Sequence, residues 1–424
     1  MSIILNSAYL HGVMTSEVYM EISGQCLDVL IYSYSDIYTK HVRRDRVYVK
    51  LSRALYGTIE AAKIWYDTLS SKLRKEGFTQ NAYDNCVFNK EYYNNQLTVL
   101  LHVDDLKVAC IDRRGIEYVV DMLNREYTKA NVYEGSKLDY LGMIFNYGLP
   151  GEVSIDMSKM VLEFLNELEV PEEARRDTPA ASHLFDISDN AELLDESNKK
   201  LFHSLVAKAL YMAKRARPDI LLPVSFLTTR VHKPDINDLK KLRRIGSYLN
   251  TTKELKLTLR ANNPLKLHCY IDASYAVHID GKGRTGNVVT LGRGSVKNSS
   301  TKHNIVTKSS TEAEIVGVSD GLGENLGLMY LMQDQGYDIK PVVLYQDNKS
   351  AITLIEKGIS TSRRTKHISV RYFFVKDRID KEEVKLVYLS TDDMLADFYT
   401  KPLQGSLYRQ MRDKIMGITK IVNL

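Results

Sequence analysis

At 424 residues the chain is long enough for about two to four domains of roughly 100–200 residues each, with several buried cores. Charge is abundant but nearly balanced at net +5, so the molecule is mildly basic and the local distribution of charge matters more than the total. The four cysteines (Cys26, Cys86, Cys110, Cys269) are isolated, which argues against a disulfide framework or a zinc cluster and points to a reducing, intracellular compartment. No apolar run reaches the roughly 18 residues of a membrane helix. The N-terminus lacks the basic region and cleavage site of a secretory signal. Ser2 to Tyr9 reads as a strand entering a turn at His11-Gly12, so the chain begins inside an element, as a fragment would.

The region 1–130 mixes strands and helices. Val47, Val49 and Leu51 alternate as a strand that ends at Tyr56-Gly57. Ile59, Ala62, Trp65, Tyr66, Leu69 and Leu73 then share one face of a helix that Gly77 stops. Leu97, Val99 and Leu101, then Leu106, Val108 and Cys110, alternate on either side of Asp104-Asp105. The acid pair therefore sits at or near a hairpin tip, where two carboxylates could share a divalent ion; an ordinary Asp-rich turn is the alternative.

The region 131–260 holds short strands near Leu141–Phe145 and Val153–Ile155, then a helix near Met160–Leu168. The acidic, polar stretch 186–198 reads as a linker. Helices follow over Leu201–Ala216 and Ile236–Leu249. Their outer faces carry Lys199, Lys200, Lys208, Lys214, Arg215, Arg217, Lys240, Lys241, Arg243 and Arg244. Few acids interrupt these clusters, which form either a solvated face or a track for phosphates.

The region 264–424 reads as a separate α/β domain with a C-terminal tail. Leu267, Cys269 and Ile271 alternate with polar positions, so Asp272 is expected at a strand end, on the face opposite the core. Val288 to Gly294 would close a hairpin. Thr311-Glu312-Ala313-Glu314 opens a helix whose apolar face is Ile315, Val318, Leu322, Leu326 and Met329. Val342–Leu344 form a strand leading to Asp347-Asn348, and the helix Ala351–Lys357 ends at Gly358.

Asp272, Glu314, Asp347 and Asp397 all fall at element ends, and four such carboxylates could hold two Mg²⁺ ions roughly 3.5–4 Å apart. Each also has a structural explanation. Glu314 stands three residues after Thr311, the spacing of a capping box. Asp347 beside Asn348 suits a turn or a helix cap. Asp272 could cap a turn, and Asp397 could be a surface acid. The order strand-Asp, helix-Glu, strand-Asp, late Asp is what favours a metal site.

The chain resembles copia-type LTR-retrotransposon Pol polyproteins, in the portion where a reverse transcriptase precedes an RNase H. The matching strings are Ala8-Tyr9-Leu10-His11-Gly12, Glu17-Val18-Tyr19-Met20, Leu55-Tyr56-Gly57, Trp65-Tyr66, Val103-Asp104-Asp105, Tyr140-Leu141-Gly142 and Arg217-Pro218-Asp219-Ile220. Further along come Ser309-Ser310-Thr311-Glu312-Ala313-Glu314, Asp347-Asn348, Thr365-Lys366-His367-Ile368 and Ala396-Asp397-Phe398-Tyr399-Thr400-Lys401-Pro402-Leu403. They follow the family's order over nearly the whole chain.

The resemblance implies an α/β (α+β) architecture. A partial palm, with most of the fingers missing, would lead into a thumb- and connection-like region and then an RNase H-like mixed-sheet domain. It implies Asp104 and Asp105 as metal-binding polymerase residues, and Asp272, Glu314, Asp347 and Asp397 as an RNase H set holding two Mg²⁺ (or Mn²⁺), with Glu312 as the fallback for Glu314. The substrate would be an RNA–DNA hybrid, read by shape and backbone charge. Arg363, Arg364, Lys366, His367 and Arg371 form a candidate contact surface, with a solvated strand edge as the alternative. Other products of the retrotransposon polyprotein are implied as partners, in a cytoplasmic particle or the nucleus.

Some positions depart from the family pattern. The first polymerase carboxylate falls on Ile4, which cannot ligate a hard cation. The tyrosine usual before the acid pair is His102, Phe373 stands where the family often has His, and the Trp usual after Val296-Lys297 is absent. Ile4 argues against DNA polymerisation by this chain unaided. The RNase H set is complete, so RNA cleavage is expected, and the alternative is an inactive relic that only binds nucleic acid.

Overall fold

The alternation around Asp104-Asp105 builds the central hairpin of the first sheet. Asn95–His102 pairs antiparallel with Asp105–Ala109, placing Val99, Leu101, Leu106 and Val108 in the core. A computed structural model describes residues 1–5, 8–127, 130–188, 190–358 and 369–421. Contacts divide the chain into two units, 1–135 and 136–424.

In the first unit six strands lie in the order Thr79–Gln80, Val87–Tyr92, Asn95–His102, Asp105–Ala109, Ser2–Ile4, Asn131–Tyr133, every pair antiparallel. The helices Ala61–Lys75 and Arg113–Glu126 bury Trp65, Leu69, Leu73, Val119, Met122 and Leu123 against this sheet. The strand expected over Ser2 to Tyr9 is shorter: Ser2–Ile4 is extended, and Ala8–His11 forms a 3-10 turn. A two-stranded ribbon, Tyr19–Ser23 with Arg46–Lys50, carries the helix Gln25–Tyr38 between its strands.

The second unit contains two five-stranded sheets. One runs Gly292–Arg293, Leu257–Ala261, Glu152–Asp156, Met143–Asn146, Lys137–Tyr140. The other runs Ser295–Lys302, Arg284–Thr290, His268–Ser274, Val342–Gln346, Val384–Tyr388. Its first three strands are antiparallel and the last two join in parallel, so it is a mixed sheet. The helix Ser310–Asp334 covers one face through Ile315, Val318, Leu322 and Met329, which meet Cys269 and Ile271.

The other face is covered as well. Tyr270, Val288 and Tyr345 join a core with Phe226, Phe398 and Tyr399, so the strand His268–Ser274 is buried on both sides rather than half-buried as its alternation predicted. A strand with a parallel neighbour is normally sandwiched in this way. Helices Glu196–Arg215, Leu221–Thr228 and Ile236–Thr251 contribute Phe202, Phe226 and Tyr248 to that same core. The mixed α/β class expected from the sequence is the one observed. Among the described residues no helix is long and apolar enough to cross a membrane.

Arg217, expected on an outer helix face, is instead 1% exposed. Its guanidinium meets Asp219 with two parallel bonds (2.9 and 2.7 Å), and Tyr248 Oη donates to the same carboxylate at 2.7 Å. Arg217 also donates to the carbonyl and the hydroxyl of Thr252. The Arg217-Pro218-Asp219-Ile220 string is thus a buried joint tying the end of helix Glu196–Arg215 to the end of helix Ile236–Thr251.

Candidate active site

The mixed sheet brings three of the expected acids together. Asp272 lies in the strand His268–Ser274, Glu314 in the first turns of helix Ser310–Asp334, and Asp347 just beyond the strand Val342–Gln346. One carboxylate oxygen from each lies within 4.8 Å of the others. Among the described residues no other group of three or more His, Cys, Asp or Glu side chains converges in this way.

The local sequence frees each acid for this position. Ser309, not Thr311, caps the long helix, accepting from Glu312 N at 3.2 Å, and the Glu312 carboxylate accepts from Lys308 N at 2.7 Å. The capping arrangement therefore uses Glu312, which corrects the Thr311–Glu314 reading and leaves Glu314 one half-turn further round. Likewise Asn348, rather than Asp347, caps the helix Lys349–Lys357 through Ala351 N at 3.0 Å.

One oxygen of each carboxylate is anchored. Glu314 Oε2 accepts from Ala273 N (3.1 Å) and Gln346 Nε2 (3.3 Å). Asp347 Oδ2 accepts from Thr391 Oγ1 (2.7 Å), and Asp272 Oδ2 accepts a short bond from Thr400 Oγ1. The three acids line a cleft of about 550 Å³ whose walls include Ser182, Phe185, Thr400 and Lys401.

Asp397 stands outside the group of three, on the 3-10 turn Leu395–Tyr399 that packs against the strand of Asp272. It is 6% exposed, not the surface acid that the sequence allowed. Its Oδ2 accepts from Lys401 Nζ at 2.8 Å, while its buried Oδ1 has no hydrogen-bond partner. Burial, and then the charge of Asp272, push the Asp397 carboxyl up to about 7. Burial, with Asp272 and Asp347 adding repulsion, raises Glu314 well above the usual carboxyl range. Negative charge is concentrated here beyond what the neighbouring donors offset. Lys401 answers part of it: burial opposes its charge, but Asp272, Asp397 and Asp347 together raise its proton affinity.

Gln346, Thr391, Thr400 and Lys401 were not singled out from the sequence as site residues. Thr400 and Lys401 lie within the string that identified Asp397, and Gln346 immediately precedes Asp347. Thr391 carried no signal.

The first unit gives a different picture. His102 and Asp105 close the hairpin, so Val103 and Asp104 form its tip, with Val103 at φ +57°. That backbone is costly for a β-branched residue. The tip is pinned by Trp65 Nε1 donating to Val103 O (2.6 Å) and Leu5 N donating to Asp104 O (2.9 Å). Ile4 is paired directly with Asp105 on one side and Asn131 on the other. Paired residues point to the same face of a sheet, so an apolar side chain stands beside Asp105 where an oxygen ligand is needed. The residues present do not fit a pair of divalent ions.

Of the candidate contact surface, Arg371 pairs with Asp320. Arg363, Arg364, Lys366 and His367 lie outside the described residues.

The family described as reverse transcriptase (RNA-dependent DNA polymerase) matches residues 2–180. The Retrovirus-related Pol polyprotein from transposon RE1 of Arabidopsis thaliana is 29% identical over 420 residues, covering 98% of this chain and 27% of that protein. Its counterpart from transposon TNT 1-94 of Nicotiana tabacum is 27% identical over 418 residues, covering 97% of this chain and 30% of that one. The chain thus spans less than a third of these relatives' length. A solved foamy viral protease-reverse transcriptase in complex with RNA/DNA hybrid is similar over 96% of this chain and 45% of that chain, at 12% identity and TM-score 0.47. With its matching strings in order, the chain is similar along almost its whole length to retrotransposon Pol polyproteins, and residues 2–180 match their reverse transcriptase.

Proposed function

We propose that the chain acts on RNA–DNA hybrids and that its working centre is the RNase H-like site, which cleaves the RNA strand. The observation that carries this reading is the convergence of Asp272, Glu314 and Asp347 in one cleft. The donor set is all carboxylate oxygen, the chemistry that hard divalent cations such as Mg²⁺ or Mn²⁺ require. A cation would also offset the burial, and the repulsion from Asp272 and Asp347, that raise Glu314. Two bound ions would supply an activated water and stabilise the leaving oxygen of the phosphodiester.

The chain's own residues do the positioning. Ala273 N and Gln346 fix Glu314, Thr391 fixes Asp347, and Thr400 fixes Asp272. The second oxygens of Glu314 and Asp347 have no donor among the described residues and remain for the metal. Asp397 completes the set through its unpartnered Oδ1, with Lys401 holding the other oxygen. The test is Mg²⁺-dependent cleavage of a 5′-labelled RNA strand in a hybrid: product with Mg²⁺ and none with EDTA supports the reading, and no product from a folded chain refutes it.

Ile4 opposite Asp105 favours a second reading for the first unit, in which it contributes nucleic-acid binding without polymerising. An intracellular setting, in a cytoplasmic particle or the nucleus and alongside other retrotransposon polyprotein products, is compatible with four free thiols. Arg371 and its neighbours in sequence remain a proposed contact surface for nucleic acid.

A further inference from the structure

Arg217 and Arg284, both in the second unit, are 1% and 0% exposed. Arg217 turns one side of its guanidinium, Nε and Nη2, onto the two oxygens of Asp219. Arg230 uses the same two nitrogens on Asp238 and Asp235. That edge carries two parallel N–H groups and is the part of the fork that grips an anion.

In Arg284 the same edge is bare. Its Nε and Nη2 are buried and have no hydrogen-bond partner. Nη1 alone is engaged, and by neutral groups: Ser225 Oγ (2.9 Å), Ser300 Oγ (2.9 Å) and Ser300 O (3.2 Å). Among the described residues no carboxylate forms an ion pair with this guanidinium. The Phe185 ring, whose centroid lies 5.5 Å from the guanidinium carbon, adds a cation–π contact. Burial lowers Arg284 to about 10, so it stays charged at neutral pH. An isolated charge in a dry interior is costly, and an anion is what offsets it. Water would satisfy the N–H groups but leave the charge uncompensated.

Strand register places this charge. Arg284 opens the strand Arg284–Thr290 and alternates with Gly286 and Val288, so its side chain enters the core that Val288 shares with Phe226 and Tyr399. A further polar group faces the same surroundings. His278 Nε2 is buried and unpartnered, and its ring packs edge-on against the same Phe185, with centroids 5.2 Å apart. Burial, and then the charge of Arg284, hold His278 down to about 4, so the imidazole is neutral at pH 7. One positive charge among aromatic rings selects a small, singly charged anion over a strongly hydrated phosphate. The bonds of Nη1 reach three elements. Ser225 lies on the helix Leu221–Thr228, Ser300 lies on the strand Ser295–Lys302, and Ser300 Oγ donates to Tyr399 O at 2.6 Å on the turn that carries Asp397. An anion on Arg284 would therefore fix helix, sheet and turn at one point.

We propose that the Nε–Nη2 edge of Arg284, together with His278 Nε2, forms a structural site for one chloride ion behind the Phe185 wall of the carboxylate cleft. The site is independent of any reaction in that cleft, and its occupancy can be measured without cleavage.

The experiment follows thermal unfolding of the full chain, wild type and Arg284→Met, as sodium chloride replaces sodium gluconate at constant ionic strength. Wild type should gain roughly 5 °C at about a hundredfold excess of chloride over its Kd, along a saturating curve. The variant should show no saturable gain. In gluconate it should melt no lower than wild type, because it no longer buries a charge. A bromide-soaked crystal of the wild-type chain needs no variant: an anomalous peak in contact with Arg284 Nε and Nη2 is expected.

Parallel melting curves for wild type and variant would overturn the site and leave the guanidinium to its neutral partners and water. Stabilisation by orthophosphate but not by chloride, lost in the variant, would overturn the chloride assignment. If Arg284→Met fails to fold, the bromide peak decides: its presence supports the site and its absence refutes it. Cleavage is scored separately, so a chain that never cuts but gains stability from chloride as described would refute the RNase H reading and keep this one.

Discussion

Ile4 stands directly opposite Asp105 in the antiparallel pairing of Ser2–Ile4 with Asp105–Ala109. An apolar side chain therefore stands beside Asp105 where a shared cation would need a further oxygen ligand. Ile4→Asp should create a cation response there. Trp65 is the chain's single tryptophan and packs beneath the hairpin tip, so its fluorescence reports this unit alone. In an Asp347→Asn background, Mn²⁺ should stabilise the Ile4→Asp chain by about 2–3 kcal/mol at a hundredfold excess over its Kd. The parent should show no such change. Equal Mn²⁺ responses would show that the tip is not arranged to share an ion.

Glu312 and Glu314 are two residues apart and do different work. Glu314→Gln should abolish cleavage. In metal-free buffer it should also raise stability by about 1 kcal/mol, roughly 2–4 °C for a unit of this size, because it removes a buried charge facing Asp272 and Asp347. Glu312→Ala should do the reverse, costing about 1 kcal/mol through the lost cap while cleavage survives. Thermal melts and the cleavage assay on both variants decide the assignment.

The Arg217–Asp219 pair is fully buried, so its members depend on each other. Arg217→Met alone should cost about 3–5 kcal/mol in urea unfolding, since it strands the Asp219 carboxylate. Arg217→Met with Asp219→Leu should recover a substantial part of that loss. A double variant as unstable as the single one would show that the bonds from Arg217 to Thr252, not the charge pair, hold the joint.

His268, His278 and His303 are all held down to about 4, in each case first by burial. Unfolding restores their ordinary value near 6.5, so the unfolded chain binds protons that the folded chain refuses. Their stabilising contribution is complete above pH 6.5 and is lost as pH falls from 6.5 to 4. The raised carboxyls Glu314 and Asp397 act with the opposite sign, so the comparison must isolate one histidine. The stability of wild type relative to His268→Gln should fall by about 1.4 kcal/mol per pH unit across that window. A constant difference would mean that His268 titrates alike in both states.

The sequence was most legible where a simple period met a single covered face. Alternation around Asp104-Asp105 located the hairpin, and Gly358, left-handed at φ +59°, ended its helix as expected. It was less legible where tertiary packing overrode the pattern. The strand of Asp272 alternates but is covered on both sides, because Phe398 and Tyr399 arrive from more than a hundred residues downstream. Arg217 followed a basic helix face yet is buried, since the turn at Pro218 brings Asp219 alongside it, Tyr248 donates to that carboxylate and Thr252 accepts from the guanidinium. Among the site residues Glu314, Asp347 and Asp397 were visible because ordered strings carried them, and Asp272 because the alternation of Leu267, Cys269 and Ile271 ended at it. The hydroxyl of Thr391 and the wall residues Ser182 and Phe185 were not visible, because only the fold brings them to the cleft.

The most direct test compares wild type with Asp347→Asn, purified identically, on a 5′-labelled RNA strand in an RNA–DNA hybrid with Mg²⁺. Cleavage by wild type, reduced at least about 100-fold in the variant at unchanged melting temperature, is the predicted result and excludes a contaminating nuclease. Equal cleavage by both, or none by a folded wild-type chain, would contradict the assignment of a working RNase H centre to Asp272, Glu314 and Asp347.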